Sequence, residues 1–241
     1  MVRKEILVVG MSHVQAILRS IGKTKNNNIK VINLTANPHI FDRKNNRINC
    51  DAFGDVDPDF IFLSLHGNFH NVIGLIENPI PFSVGDPISG QIPAGDELKN
   101  RIFIAEDMMR AFFDAELSSH TLVHIRKLIE HFTSSRFFIL CMPPPSGDAN
   151  HIQQFPGVFK DKLDLGVSPM SLRLKLFNIQ RDLLQNSCQS LGVGFVEVPR
   201  DAVDQDGSLK RQYWNADPTH GNIDYGSLVV AQIKEIVESS Q

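Results

Sequence analysis

Cysteine is scarce: Cys50, Cys141 and Cys188 are odd in number, far apart and free of any C-x-x-C pair. That excludes a disulfide framework and a cysteine-rich zinc site and leaves ordinary reduced thiols. Excess charge of either sign is also missing. Lys plus Arg total 24 against 27 Asp plus Glu, a net charge of −3, so nothing draws the chain to nucleic acid or to an anionic membrane surface. No apolar run approaches the roughly 18 residues that a spanning helix needs. The basic N-terminus leads into a short apolar run and then Ser-His-Val-Gln rather than a small-residue cleavage site. The expectation is a cytoplasmic protein with neither membrane nor nucleic acid as partner. There is no internal repeat and no low-complexity tract, and 241 residues suffice for one large domain, 1–241, with a full core.

What is present begins at residues 6–15. Ile6-Leu7-Val8-Val9-Gly10 is an apolar, β-branched run that reads as a strand buried on both faces, and Met11-Ser12-His13-Val14-Gln15 turns from it into a helix. Val14, Ile17, Leu18 and Ile21 continue at helical spacing, with Gly22 as a stop. Residues 29–34 read as a second strand, 59–65 as a third, 136–141 as a fourth and 193–198 as a fifth. The stretch 35–58 is polar and rich in turn signals.

Residues 78–96 hold Pro79, Pro81, Pro87 and Pro93 with Gly85, Gly90 and Gly95, too many breakers for regular structure. They form a candidate lid, with a surface insertion as the plainer reading. Residues 97–133 read as helix in one or two pieces. Pro143-Pro144-Pro145 ends the fourth strand, and a loop runs to about 168. There Ser168-Pro169 resembles an N-cap with proline in the first turn of a helix reaching Leu191. A last amphipathic helix covers 224–238. Strands alternating with helical segments give an α/β fold: a doubly wound, five-stranded, mostly parallel sheet flanked by helices.

In such a sheet ligands bind beyond the carboxyl ends of the strands. Ser12 lies at such an end, although a serine there can simply cap the next helix. Just before the last helix stands Asn215-Ala216-Asp217-Pro218-Thr219-His220. Asp217 and His220 can be presented from one loop, the carboxylate orienting an imidazole that takes the proton of a hydroxyl; the plain reading is a turn and a surface histidine. Asn68, after the third strand, can supply a side-chain amide to a developing oxyanion, or simply occupy a turn. His66 and His70 flank Asn68 as candidate substrate contacts or local hydrogen-bonding residues, and His13 is a second candidate proton acceptor beside the serine. His120, His124 and His131 share a helical face with Glu116 but complete no metal-ligand pattern, so a packed or solvated face is expected and no metal is assigned.

Gly10-Met11-Ser12-His13, Gly67-Asn68 and Asp217-Pro218-Thr219-His220, in that order along nearly the whole chain, resemble the SGNH hydrolases, also called GDSL-type lipases and esterases. The resemblance implies Ser12 as nucleophile, His220 as base, Asp217 as its orienting acid, and Asn68 with the Ser12 N–H as oxyanion hole. It implies no cofactor. Met11 and His13 stand where the family's first motif has Asp and Leu, and only Gly54 is available for the oxyanion glycine of its second motif. The expected activity is hydrolysis of a small or carbohydrate-linked ester by a serine esterase. The alternatives are an acyltransferase with the same triad, or an inactive binding module of the same fold.

Overall fold

The computed structural model describes residues 4–23, 28–85 and 100–240. In chain order the elements are β1 (Ile6–Gly10), α1 (Val14–Lys23), β2 (Ile29–Asn33), the two-residue strands β3 (Phe41–Asp42) and β4 (Arg47–Ile48), β5 (Phe60–Ser64), α2 (Phe69–Gly74), β6 (Phe82–Gly85) and β7 (Ile102–Ala105). They continue as α3 (Glu106–Leu117), α4 (Val123–His131), β8 (Arg136–Leu140), α5 (Ala149–Gln154), α6 (Met170–Leu191), β9 (Gly194–Val196) and α7 (Ile223–Ser239).

The main sheet has the order β2-β1-β5-β8-β9, and every pairing in it is parallel. Leu7, Val8, Val9, Ile61, Phe62 and Leu63 have no exposed surface, the result of helices covering both faces of a parallel sheet. From β1 the chain moves one way to β2 and the other way through β5 and β8 to β9. Right-handed crossovers therefore put α1 on one face and the later crossover helices on the other. The order reverses between β1 and β5, and the crevice at their carboxyl ends is where a doubly wound sheet binds ligands. Residues 11–13 and 65–68 open from those two ends.

Gly10 makes that crevice tight. A Cβ there would lie 2.4 Å from Val14 Cγ1 and 2.6 Å from the Ser64 carbonyl, so only glycine lets β1 run so close beside β5 and turn at once into α1. The Met11 N–H donates to the Ser64 carbonyl at 3.0 Å, fixing the start of the turn.

Several expectations are corrected. Residues 78–96 are not wholly irregular: Phe82–Gly85 is a strand pairing in parallel with Ile102–Ala105, a second small sheet. The remainder of the candidate lid, from 86 onward, lies outside the described residues. The stretch 97–133 is not all helix, because the apolar run Ile102-Phe-Ile-Ala finds that partner strand before α3 begins at Glu106. Residues 143–168 hold α5 and a 3-10 run, Gly157–Leu165, rather than loop alone. Ser168 does not cap α6. Its hydroxyl is buried without a hydrogen-bond partner, and its N–H is spent on the Leu75 carbonyl at 3.1 Å. Among the described residues no helix is long and apolar enough to cross a membrane.

Candidate active site

Ser12 occupies the three-residue turn, 11–13, between β1 and α1, exposed, with its carbonyl accepting from the Gln15 N–H at 3.1 Å. Its own N–H donates to no carbonyl among the described residues and stands at the positive end of α1. The loop that carries His220 is braced from several sides. Trp214 and Gly221 form an antiparallel bridge, the Asn215 N–H donates to the His220 carbonyl at 3.1 Å, and the Asn222 N–H donates to the Tyr213 carbonyl at 2.8 Å. The Trp214 indole N–H donates to the Leu209 carbonyl at 2.6 Å, anchoring the base of this small hairpin.

Within that frame His220 Nε2 lies 2.8 Å from Ser12 Oγ, and His220 Nδ1 lies 2.8 Å from Asp217 Oδ1. A carboxylate can only accept, so Nδ1 carries the proton and the Nε2 lone pair faces the serine hydroxyl. The arrangement joins residues 208 positions apart in sequence. Asp217 also accepts from the Thr219 and His220 N–H groups, each at 2.9 Å, and from the Asn215 side-chain amide at 2.6 Å. Burial alone would raise its carboxyl. The His220 hydrogen bond and charge, together with Thr219 and Asn215, outweigh that and hold it well below the usual carboxylate range.

His13 is not hydrogen-bonded to Ser12. Its ring is buried with neither nitrogen partnered, and it packs against the His220 ring at a centroid distance of 4.8 Å. His70 is interior: Nδ1 and the backbone N–H both meet Gln180 Oε1 at 2.9 Å, and Gln180 in turn donates to the His66 carbonyl at 3.2 Å. His66 is buried, its ring nitrogens unpartnered. Asn68 begins α2 without capping it, so its amide is not committed to the helix; Gly67 before it takes a positive φ of 56°. The Gly54 N–H donates to the Asp51 carbonyl at 3.2 Å and is spent there. His120 is exposed on a π-helical turn beside Glu116, whereas His124 is buried with Nε2 3.1 Å from Asn46 Oδ1.

Two hollows open beside the β1–α1 turn, one reached by Met11 and the other by Ser12. One, of about 260 Å³, is lined chiefly by apolar groups including Met11, Phe69, Phe113 and Leu117, with Asn68 and His66 in its wall. The other, of about 250 Å³, contains Ser12, Asp217 and His220 together with Gln15, Arg19, Asn33 and Asn215. Gln15, Arg19 and Asn33 were not singled out from sequence. The first two follow Ser12 at helical spacing, and Asn33 ends β2 on the same edge of the sheet, which is the signal that finds them.

No protein-family model matches this chain, and no curated protein matches it in sequence. Among solved structures it is similar to a GDSL-like lipase from Bacteroides thetaiotaomicron VPI-5482 over 99% of this chain and 89% of that one, with a TM-score of 0.50 and 12% identity. The periplasmic domain of a lipopolysaccharide acetyltransferase from Salmonella ser. Paratyphi A matches over 98% and 84%, with a TM-score of 0.52 and 13% identity. A lipase from Streptomyces rimosus matches over 96% and 99%, with a TM-score of 0.50 and 8% identity. The fold is of the SGNH hydrolase type. Identities this low speak for the fold alone. In this SGNH-type fold, Ser12 and Asn68 follow the two strands at the sheet's reversal, and His220 arrives from the loop before α7.

Proposed function

We propose that this protein hydrolyses carboxylic esters through a covalent acyl-serine. Ser12 Oγ attacks the acyl carbonyl as His220 Nε2 takes its proton, and Asp217 holds the imidazole in the required tautomer and steadies the imidazolium. The developing oxyanion is met by the Ser12 N–H at the start of α1 and by the Asn68 amide. His220 then returns the proton to the leaving alcohol oxygen. Water attacks the acyl-enzyme, again giving its proton to His220, and Ser12 is restored as the acid leaves.

The observation that carries this reading is the unbroken line Ser12 Oγ to His220 Nε2 to His220 Nδ1 to Asp217 Oδ1, with both contacts at 2.8 Å. Hydrolysis is favoured over transfer because the dyad is open. Ser12 is exposed, and the His220 and Asp217 side chains keep 25% and 24% of their surface, so water has access to the acyl carbonyl. The test is turnover of 2-nitrophenyl acetate and butanoate by the wild type and by Ser12→Ala, together with labelling by a fluorophosphonate. Ser12→Ala is expected to lose about 10⁶-fold in kcat and all labelling. Unchanged turnover, or labelling that survives in the variant, overturns the reading.

A further inference from the structure

We propose that the substrate joins a compact apolar acyl group to a polar alcohol bearing negative charge, and that Arg19 receives that charge. The inference rests on the serine-hydrolase reading above and concerns what lies on each side of the scissile bond.

His220 decides which side is which. The residue that returns a proton to the leaving oxygen must stand on the alcohol's side, and His220 lines the hollow that holds Gln15, Arg19, Asn33 and Asn215. The acyl chain leaves the carbonyl in the other direction, toward Met11 and Asn68 and the apolar walls of Phe69, Phe113 and Leu117. The charges agree with this division. Glu116 is the anionic group in the wall of the apolar hollow and discourages a second anion there. On the alcohol side Arg19 is exposed and has neither ion pair nor hydrogen-bond partner among the described residues.

Competing acceptors in that hollow are already engaged. Asp217, the carboxylate lining it, is taken up by Asn215, Thr219 and His220. Asn33 Oδ1 accepts from the Thr35 N–H at 3.0 Å and the Thr35 hydroxyl at 2.6 Å, and Gln15 Oε1 accepts from Asn33 Nδ2 at 3.3 Å. Gln15 Nε2 and the Arg19 guanidinium are left as donors. Gln15 and Arg19, four residues apart, lie along one face of α1 with an axial rise of about 6 Å between them, and Ser12 stands in the turn just ahead of that face. The strip suits an alcohol a ring or so in size, hydroxylated near the ester and carrying a carboxylate or phosphate at its far end.

Two esters of one acid test this. 3-(Butanoyloxy)-4-nitrobenzoate carries an anionic leaving group, and 2-nitrophenyl butanoate is its neutral counterpart; each kcat/KM is divided by the ester's rate with hydroxide to remove intrinsic reactivity. The wild type is expected to prefer the anionic ester by about fivefold, the upper range for an exposed charge pair. The preference is expected to persist in Arg19→Lys, to invert in Arg19→Glu and to shrink with added salt. Ser12-dependent turnover of both esters without preference, or a preference unchanged in Arg19→Glu, overturns the assignment and leaves the hydrolase reading intact. Absence of Ser12-dependent turnover with either ester overturns the hydrolase reading, and the assignment falls with it.

Discussion

Gly226 rests directly on the backbone of Ala16: a Cβ on the glycine would lie 2.2 Å from the Ala16 carbonyl oxygen and 2.4 Å from its carbon. One turn further along, Ser20 Oγ and Ser227 Oγ are 2.9 Å apart. Helices α1 and α7 thus meet backbone to backbone. Ser12 lies just ahead of α1 and His220 just ahead of α7, so this approach sets the distance between hydroxyl and imidazole.

Substituting Gly226→Ala forces the two helices apart, since the obstructing atoms are backbone and cannot rotate away. The expected cost is about 1–3 kcal/mol of stability, as for other overpacked cores. Turnover is expected to fall by about 10²-fold, because a displacement near 1 Å is enough to spoil a near-attack geometry. Denaturant midpoints and ester kinetics on the same preparation check both halves. An unchanged midpoint with full turnover would show that the helix contact does not govern the site.

Asp217 stands behind His220 with three roles at once: acceptor for the ring, for two backbone N–H groups and for the Asn215 amide. In Asp217→Asn the amide oxygen can still serve the backbone, so the loop is expected to keep its shape. The same oxygen also accepts the His220 Nδ1–H, so the ring keeps its orientation, but a neutral amide cannot steady an imidazolium. The expected result is a loss of about 10³–10⁴-fold in kcat with a nearly unchanged melting temperature. Comparable losses in both would mean that Asp217 acts mainly as loop scaffold.

Asn222 caps α7 through Oδ1, which accepts from the Asp224 and Tyr225 N–H groups at 2.9 and 3.1 Å. Its Nδ2 donates to the Gln212 carbonyl at 2.7 Å, tying the helix start to the other arm of the hairpin that carries His220. Asn222→Ala is expected to cost about 1 kcal/mol, as other lost caps do. It should also lower kcat several-fold through loosening of the loop. Asn222→Asp, which can cap but cannot donate to Gln212, separates the two effects: its stability should recover while its kcat stays low.

The main sheet is legible in the sequence because a parallel strand covered on both faces must be apolar at every position, as 6–10, 60–64 and 136–140 nearly are. The meeting of Ser12 with His220 follows from the same regularity, since both lie in loops at carboxyl ends of strands or before the helix that follows them. What escapes is whatever depends on a distant partner. Phe82–Gly85 sits among prolines and glycines and becomes a strand only because Ile102–Ala105 lies beside it. Gly226 reads as a weak point in a helix until Ala16 is seen against it. Ser168 carries the local pattern of a cap, yet its N–H is claimed by Leu75 and its side chain is buried.

Behind the site lie three buried histidines whose protonation the fold resists. Burial pushes His66 down to about 3, aided by repulsion from His70; burial pushes His70 down to about 4 against the opposing Gln180 bond. His13 is lowered well below its usual value by burial and then by the imidazoles of His220, His66 and His70. In the unfolded chain each titrates near 6.5. Between that value and the folded ones the unfolded state binds more protons, so stability is full above 6.5 and falls as the pH drops, at about 1.4 kcal/mol per pH unit for each histidine. At pH 5 His66 and His70 are each expected to cost about 2 kcal/mol relative to pH 8. Denaturant unfolding at the two pH values measures the total. His66→Leu, which removes two unpartnered ring nitrogens at similar volume, is expected to leave stability at pH 8 equal or higher and to make the acid slope shallower by one proton. A slope that stays the same in His66→Leu would mean that His66 takes up its proton in the folded protein as readily as in the unfolded one.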